Sequence, residues 1–200
     1  STTYKNKFDQ SLMSSIMLTG EYPLKKGGEI YESNVIPKLS IMYSPNKTKN
    51  MINDDRRIDV NNVFSFNRIA ANDTVEGGTS LTVGAEYKKT DKNNYNELIN
   101  LNLATVIRQK ENDDLSIRSS IGKKTSDIFG SIKVKPNKNF SLNYNFAIDN
   151  NMNKSNYDGI NTKFSVNNFV TSFEYLDDKN KISEKSYISN ETNLNLNESN

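Results

Sequence analysis

The segment from Phe140 to Asp149 alternates without a break. Phe140, Leu142, Tyr144, Phe146 and Ile148 form one apolar or aromatic row, and Ser141, Asn143, Asn145, Ala147 and Asp149 form an opposite, largely polar row. A repeat of two over about ten residues is that of an extended strand with one apolar and one wet face. The pattern recurs along the chain. Leu81, Val83, Ala85 and Tyr87 alternate with Thr82, Gly84, Glu86 and Lys88. Ile99, Leu101, Leu103, Thr105 and Ile107 alternate with Asn100, Asn102, Ala104 and Arg108. Ile128, Gly130, Ile132 and Val134 oppose Ser131, Lys133 and Lys135, and Phe169, Thr171, Phe173 and Tyr175 oppose Ser172 and Glu174. Shorter versions occupy 12–18, 35–43, 162–166 and 187–196. The expectation is roughly nine strands and no helix, since no segment carries apolar residues at three-to-four spacing.

The intervening segments alternate too. Pro136-Asn137-Lys138-Asn139 and Asn167-Asn168 are short connections of turn-forming residues. Segments 20–33 and 88–95 read as somewhat longer ones. The others are longer and more polar: 45–78, 110–125, 150–158 and 177–184. An antiparallel up-and-down meander with tight turns at one end and extended loops at the other gives this order.

Composition decides how such strands can be used. Only 34% of the 200 residues are hydrophobic, roughly one residue in six is Asn, and the mean hydropathy is −0.75. A chain like this stays disordered unless its apolar residues are gathered on one face, and the alternation gathers them. With no His and no Cys there is no Ser-His or Cys-His nucleophile pair, no zinc or iron site of the usual type and no disulfide. The 26 basic and 24 acidic residues leave a net charge of +2, too balanced for a dedicated nucleic-acid binder. No run approaches the ~20 apolar residues of a membrane helix. The chain begins at Ser1 without a signal sequence, and alternation continues to Asn197. The expectation is therefore an internal fragment, with residues 1–200 forming part of a single barrel domain.

Two architectures fit one greasy and one wet face. A soluble sandwich would cover the apolar face with a second sheet. A transmembrane barrel would turn it to lipid. Three features favour the barrel. The strands are close to the roughly 9–11 residues a tilted strand needs to cross a bilayer. The second face is Asn-rich, as befits an aqueous lumen. Tyr22, Tyr43, Tyr87, Tyr95, Tyr144 and Tyr175 lie at or near strand ends, where aromatic girdles sit.

Candidate chemistry is sparse. Asp54-Asp55, Asp113-Asp114 and Asp177-Asp178 are paired carboxylates, but all lie in polar loops and read as solvated charge. Asp54, Asp55 and Asp59 lack the glycine-centred spacing and closing Glu of a calcium loop. Gly77-Gly78 has no following Lys-Ser/Thr and reads as a turn feeding the strand at Leu81. Arg56, Arg57 and Arg68 have Asp59, Asp73 and Glu76 as nearby partners. No catalytic, cofactor-binding or metal-binding group emerges.

One stretch carries more than periodicity. From Asn61 the chain reads NNVFSFNRIAANDTVEGGTSLTVGAEY. With Asn62, Val63, Phe64, Asn67, Arg68, Asp73, Val75, Glu76, Gly77, Gly84 and Tyr87 in order, it resembles the central signature of the outer-membrane lipopolysaccharide-assembly family LptD. Ile36-Pro37-Lys38, Ser44-Pro45, Ser126-Asp127-Ile128-Phe129-Gly130, Pro136 and Asp149 match in the flanks, so the resemblance spans about half the chain. Ala71 and Thr74 depart from the pattern, standing where the family often has Gly and Arg.

The resemblance implies a wall section of a large transmembrane β-barrel in the bacterial outer membrane, not an enzyme. It implies lipopolysaccharide as cargo and a plug lipoprotein of the LptE type in the lumen. It further implies an LptA-type periplasmic bridge, reached through a jelly-roll domain outside this chain, and a lateral gate elsewhere in the barrel. In such a wall Phe140, Leu142, Tyr144, Phe146, Phe169 and Phe173 would face membrane lipid. Asn100, Asn102, Asn143, Asn145, Ser172 and Glu174 would face the lumen. Segment 45–78 would be a long extracellular loop with Phe64 packed inward, and Phe64, Asn67, Arg68, Asp73 and Glu76 would be its signature residues. Two other readings share the alternation: a porin or receptor-type barrel, and a soluble Asn-rich adhesion module.

Overall fold

The computed structural model describes residues 12–179 and 184–194. Ten strands form one antiparallel sheet: β1 (Ile16–Glu21), β2 (Leu24–Gly27), β3 (Tyr31–Ser44), β4 (Gly78–Asp91), β5 (Glu97–Arg108), β6 (Ile128–Asn137), β7 (Phe140–Ile148), β8 (Ser155–Val166), β9 (Phe169–Asp178) and β10 (Lys185–Leu194). Apart from β2, the order in the sheet is the order in the chain, with every neighbour antiparallel. This is the meander that the sequence implies. The path runs from β1 to β10 without closing.

Strands β1 and β2 both pair with β3 in one continuous register, Glu21 opposite Lys38 and Leu24 opposite Val35. They are one strand broken at Tyr22-Pro23, where Pro23 and Pro37 both lack an N–H for the ladder. Counted as continuous strands the sheet therefore has nine. The expected connection at 20–33 is mostly strand, with its turn confined to 28–30, and β8 starts at Ser155, well before residue 162. Both segments hide their strand character behind Lys, Asn and Gly. The alternation expected at 195–196 lies outside the described residues.

Tight turns gather at one end. Val166 pairs with Phe169 across Asn167-Asn168, and Asn167 takes a left-handed backbone (φ 52°) that Asn tolerates. Asn137 pairs with Phe140, and its side chain accepts hydrogen bonds from the Asn139 and Phe140 amides (2.9 and 3.1 Å). Pro136 sits inside β6 where the register slips between Val134 and Asn137, so this turn is shorter than the sequence suggests. Segments 45–77, 109–127 and 149–154 lie at the other end.

Cross-strand register sorts the side chains. One face carries Leu18, Ile41, Leu81 and Ile107 in a row, and another row runs Leu101, Ile132, Tyr144, Ile160, Tyr175 and Ile188. Nothing among the described residues covers this bare face, and most of the large exposed apolar side chains belong to it. Gly130 is required here: the Phe146 ring lies across it, in the space a β-carbon would occupy. The opposite face carries the polar rows, and loops 45–77 and 109–127 fold back over its loop end. Their Met51, Ile58, Val63, Ile69, Leu115 and Ile121 pack on Ala104, Val106, Phe129 and Ala147 of the sheet. The buried core therefore sits on the face that is polar elsewhere.

Candidate functional site

The inward-folded loops form a cover whose two halves are tied together. The Met51 amide donates to the Asp114 carbonyl (2.7 Å) and the Ile117 amide to the Ile52 carbonyl (3.1 Å). Thr48 Oγ1 accepts from the Gly77 amide and from Asn112 Nδ2, both at 2.8 Å. Loop 109–127 holds a single 3₁₀ turn, Ser120–Gly122, and then runs back along β5. The Ser126 amide donates to the Val106 carbonyl (2.8 Å), and Ser126 Oγ accepts from the Val106 amide (2.8 Å).

At the root of the cover lies a buried ion cluster. Arg68 donates through Nε and Nη2 to the two carboxylate oxygens of Glu76 (2.7 and 2.5 Å), a bidentate pair. Its remaining donors reach Ser80 Oγ (2.9 Å), Thr82 Oγ1 (2.8 Å) and the Val63 carbonyl (3.1 Å). Arg108, from the end of β5, bonds Glu76 from the other side and also the Gly77 carbonyl. The side chains of Arg68 and Arg108 are only 2% and 1% exposed. Burial alone would push the Glu76 carboxyl up, but the two guanidiniums outweigh it and hold the group below the usual carboxylate range. Two cations share one anion, so Glu76 is the member the others cannot do without.

The other signature residues shape the loop around this cluster. The Phe64 ring lies over Gly84, where any larger residue would collide with it. Asn67 closes a turn, its side chain bonding the Ala71 amide (3.2 Å) and carbonyl (3.0 Å). Asp73 pairs with Lys49 (3.0 Å) at the surface, and that hydrogen bond lowers its pKa. Arg56 donates to the Arg68 carbonyl (2.9 Å), and the Arg57 guanidinium stacks 3.9 Å from the Tyr157 ring.

Beyond the cover the polar face is a hydrogen-bonded lattice. Lys38 pairs with Glu86 (2.9 Å), Asn100 donates to Glu86 (3.1 Å), and Asn102 reaches Asn100 (2.5 Å) and Ser131 (3.3 Å). Asn100 is buried within this network on the polar face. Asn143, Asn145, Ser172 and Glu174 share this face, with Glu174 accepting from Tyr187 (2.7 Å). Phe140, Leu142, Tyr144, Phe146, Phe169 and Phe173 share the bare face with the other apolar rows.

Arg108, Arg118, Ile58 and the Asp178 carboxylate also belong to this assembly, and no local sequence pattern singles them out. A signal for the covered patch itself was present. The wet rows of β5, β6 and β7 turn apolar toward the loop end, at Ala104 and Val106, at Phe129 and at Ala147. Arg108 follows directly on the β5 row.

A sheet bare on its apolar face, carrying folded loops on its polar face, defines a wall section of a transmembrane β-barrel. The family model described as LptD, LPS transport system D, matches residues 1–199. The chain belongs to the LptD family, an outer-membrane family that acts in lipopolysaccharide transport and is a transport component, not known as an enzyme. No curated protein matches the chain.

Proposed function

We propose that the chain forms part of the outer-membrane barrel of the lipopolysaccharide translocon, which inserts lipopolysaccharide into the outer leaflet of the outer membrane. The observation that carries this is the distribution of apolar surface within a family of lipopolysaccharide transport. Leu103 is 49% and Phe173 38% exposed on a face that nothing among the described residues covers, which in water would be an aggregation hazard and in lipid is the ground state. Phe140, Leu142, Tyr144, Phe146, Phe169 and Phe173 face membrane lipid on this reading. The polar face, with Asn143, Asn145, Ser172 and Glu174, meets the aqueous interior where the sugar headgroup passes and a plug lipoprotein of the LptE type seats. The cargo arrives across an LptA-type periplasmic bridge.

The loop end is the extracellular end, because barrels of this kind keep short turns on the periplasmic side. Segment 45–77 is then an extracellular loop folded into the lumen. Depletion of the full-length protein is expected to stop newly made lipopolysaccharide from reaching the cell surface, read by labelling of the outer leaflet. Unchanged surface lipopolysaccharide would overturn the assignment. Co-purification of a small lipoprotein with the full-length chain separates this reading from a porin or receptor barrel. Retention of the chain in membranes after a carbonate wash separates it from a soluble adhesion module.

A further inference from the structure

The two margins of the cover are built differently. On the β4–β5 side Arg68, Glu76 and Arg108 are buried together, and six hydrogen bonds besides the Arg–Glu pairs tie this margin to loop and sheet: Ser80, Thr82, Val63, Gly77 and, through Ser126, the Val106 backbone in both directions. Opening here would strip two guanidiniums of their one counter-ion. On the β8–β9 side the cover is held by Arg118, which donates to Asp178 (2.6 Å) and also pairs with Asp55 of the cover, by the hydrogen bond from Asn156 of β8 to Asp127 (2.9 Å), and by the stack of Arg57 on Tyr157. These contacts cross a cleft of about 350 Å³ lined by Arg57, Ile58, Leu115, Arg118, Tyr157 and Asp178. Arg118 Nε is buried there without a hydrogen-bond partner.

We infer that the cover is a hinged lid, pinned at Arg68–Glu76–Arg108 and released at the Arg118–Asp178 contact, so that its margin lifts from the inner ends of β8 and β9 while Ile58, Leu115 and Ile121 stay packed on Phe129 and Ala147. The inference rests on the barrel reading, in which the polar face lines the lumen. The asymmetry sets the direction. The margin beyond Ile58 and Leu115 is undercut by the cleft, so lifting it forfeits fewer packing contacts than opening the core would. Arg118 regains water at its unpartnered Nε, and Asp178 regains hydration, whereas the pinned margin has no such compensation. The backbone bonds between loops 45–77 and 109–127 make the two halves move together.

Amide hydrogen exchange on the full-length protein in liposomes tests this. In Arg118→Ala and in Asp178→Asn, amides of the cover near residues 51–58 and 112–119 are expected to exchange at least about tenfold faster, the loss of one charge-assisted hydrogen bond. Amides of β4 and β5 and of residues 68–77 are expected to keep wild-type protection. Unchanged exchange in the cover of both variants would overturn the lid. So would a uniform rise through strands and cover alike, which would make Arg118 an ordinary stabilising residue. The lid and the transport reading fail separately. Normal surface lipopolysaccharide on depletion removes the latter, whatever the exchange pattern.

Discussion

Val106 and Ile107 are neighbours in β5, yet one is fully buried and the other is 42% exposed. The same contrast separates Ala104 from Leu103 and, less sharply, Ala147 from the half-buried Phe146, and it divides the described residues into two apolar regions. Beneath the cover the sheet contributes mostly small side chains, because Ile58, Val63, Phe64 and Ile69 descend from the loop to fill the space. On the bare face the sheet contributes large ones, and nothing among the described residues meets them. The first region is stabilised by exclusion of water and by close packing, the second by the solvent it is placed in. An apolar residue in this protein therefore has two destinations, and its row and height along the strand decide which.

The sharpest way to break the comparison is to attack the polar root of the covered region. Glu76→Ala leaves two buried guanidiniums unpaired and is expected to cost about 3–5 kcal/mol, with loss of the cover's protection against proteolysis. Next comes the packed interior. Ile58→Ala is expected to destabilise by about 2–5 kcal/mol, and Ile107→Ala, on the bare face of β5, by clearly less, both read from urea unfolding in liposomes. Equal costs would mean that the two regions are not distinct environments.

On the bare face the informative change is to a charge. Phe146→Arg is expected to cost about 2–4 kcal/mol if it meets the bilayer midplane, and Asn145→Arg on the opposite face far less. Comparable folding yields into liposomes would remove the lipid assignment. The smallest effect is that of acid. The folded-state pKa of Glu76 lies below its unfolded value, so its contribution is complete above the ordinary carboxylate range and is lost as pH falls through the lowered value. Amide exchange in segment 45–77, corrected for the intrinsic pH effect, is expected to match at pH 7 and 6 and to accelerate only under stronger acid.

Lipopolysaccharide transport was not legible in the alternation, which serves a porin wall equally well. The signature around Asn62–Gly77 pointed to it, and the family match decided it. That signature turns out to hold an ion cluster and a half-buried ring, so its residues serve the inward fold of the loop. Arg68 and Glu76 stand eight residues apart and their pairing was legible as one of three alternatives. The pairing of Glu76 with Arg108, 32 residues away, was not, because no local pattern records which strand end a loop returns to.

By itself the sequence determined most of the strands, their antiparallel order and the division into an apolar and a polar face, because a period of two leaves the backbone one way to separate unlike side chains. Within these 200 residues it also leaves no histidine or cysteine and no apolar run long enough for a membrane helix. Tertiary structure alone decided that the loops fold onto the polar face, that the buried core lies there, and that Arg108, Arg118 and Asp178 hold it. Those choices depend on contacts between segments tens of residues apart. They are settled by how surfaces fit and charges neutralise once the sheet exists.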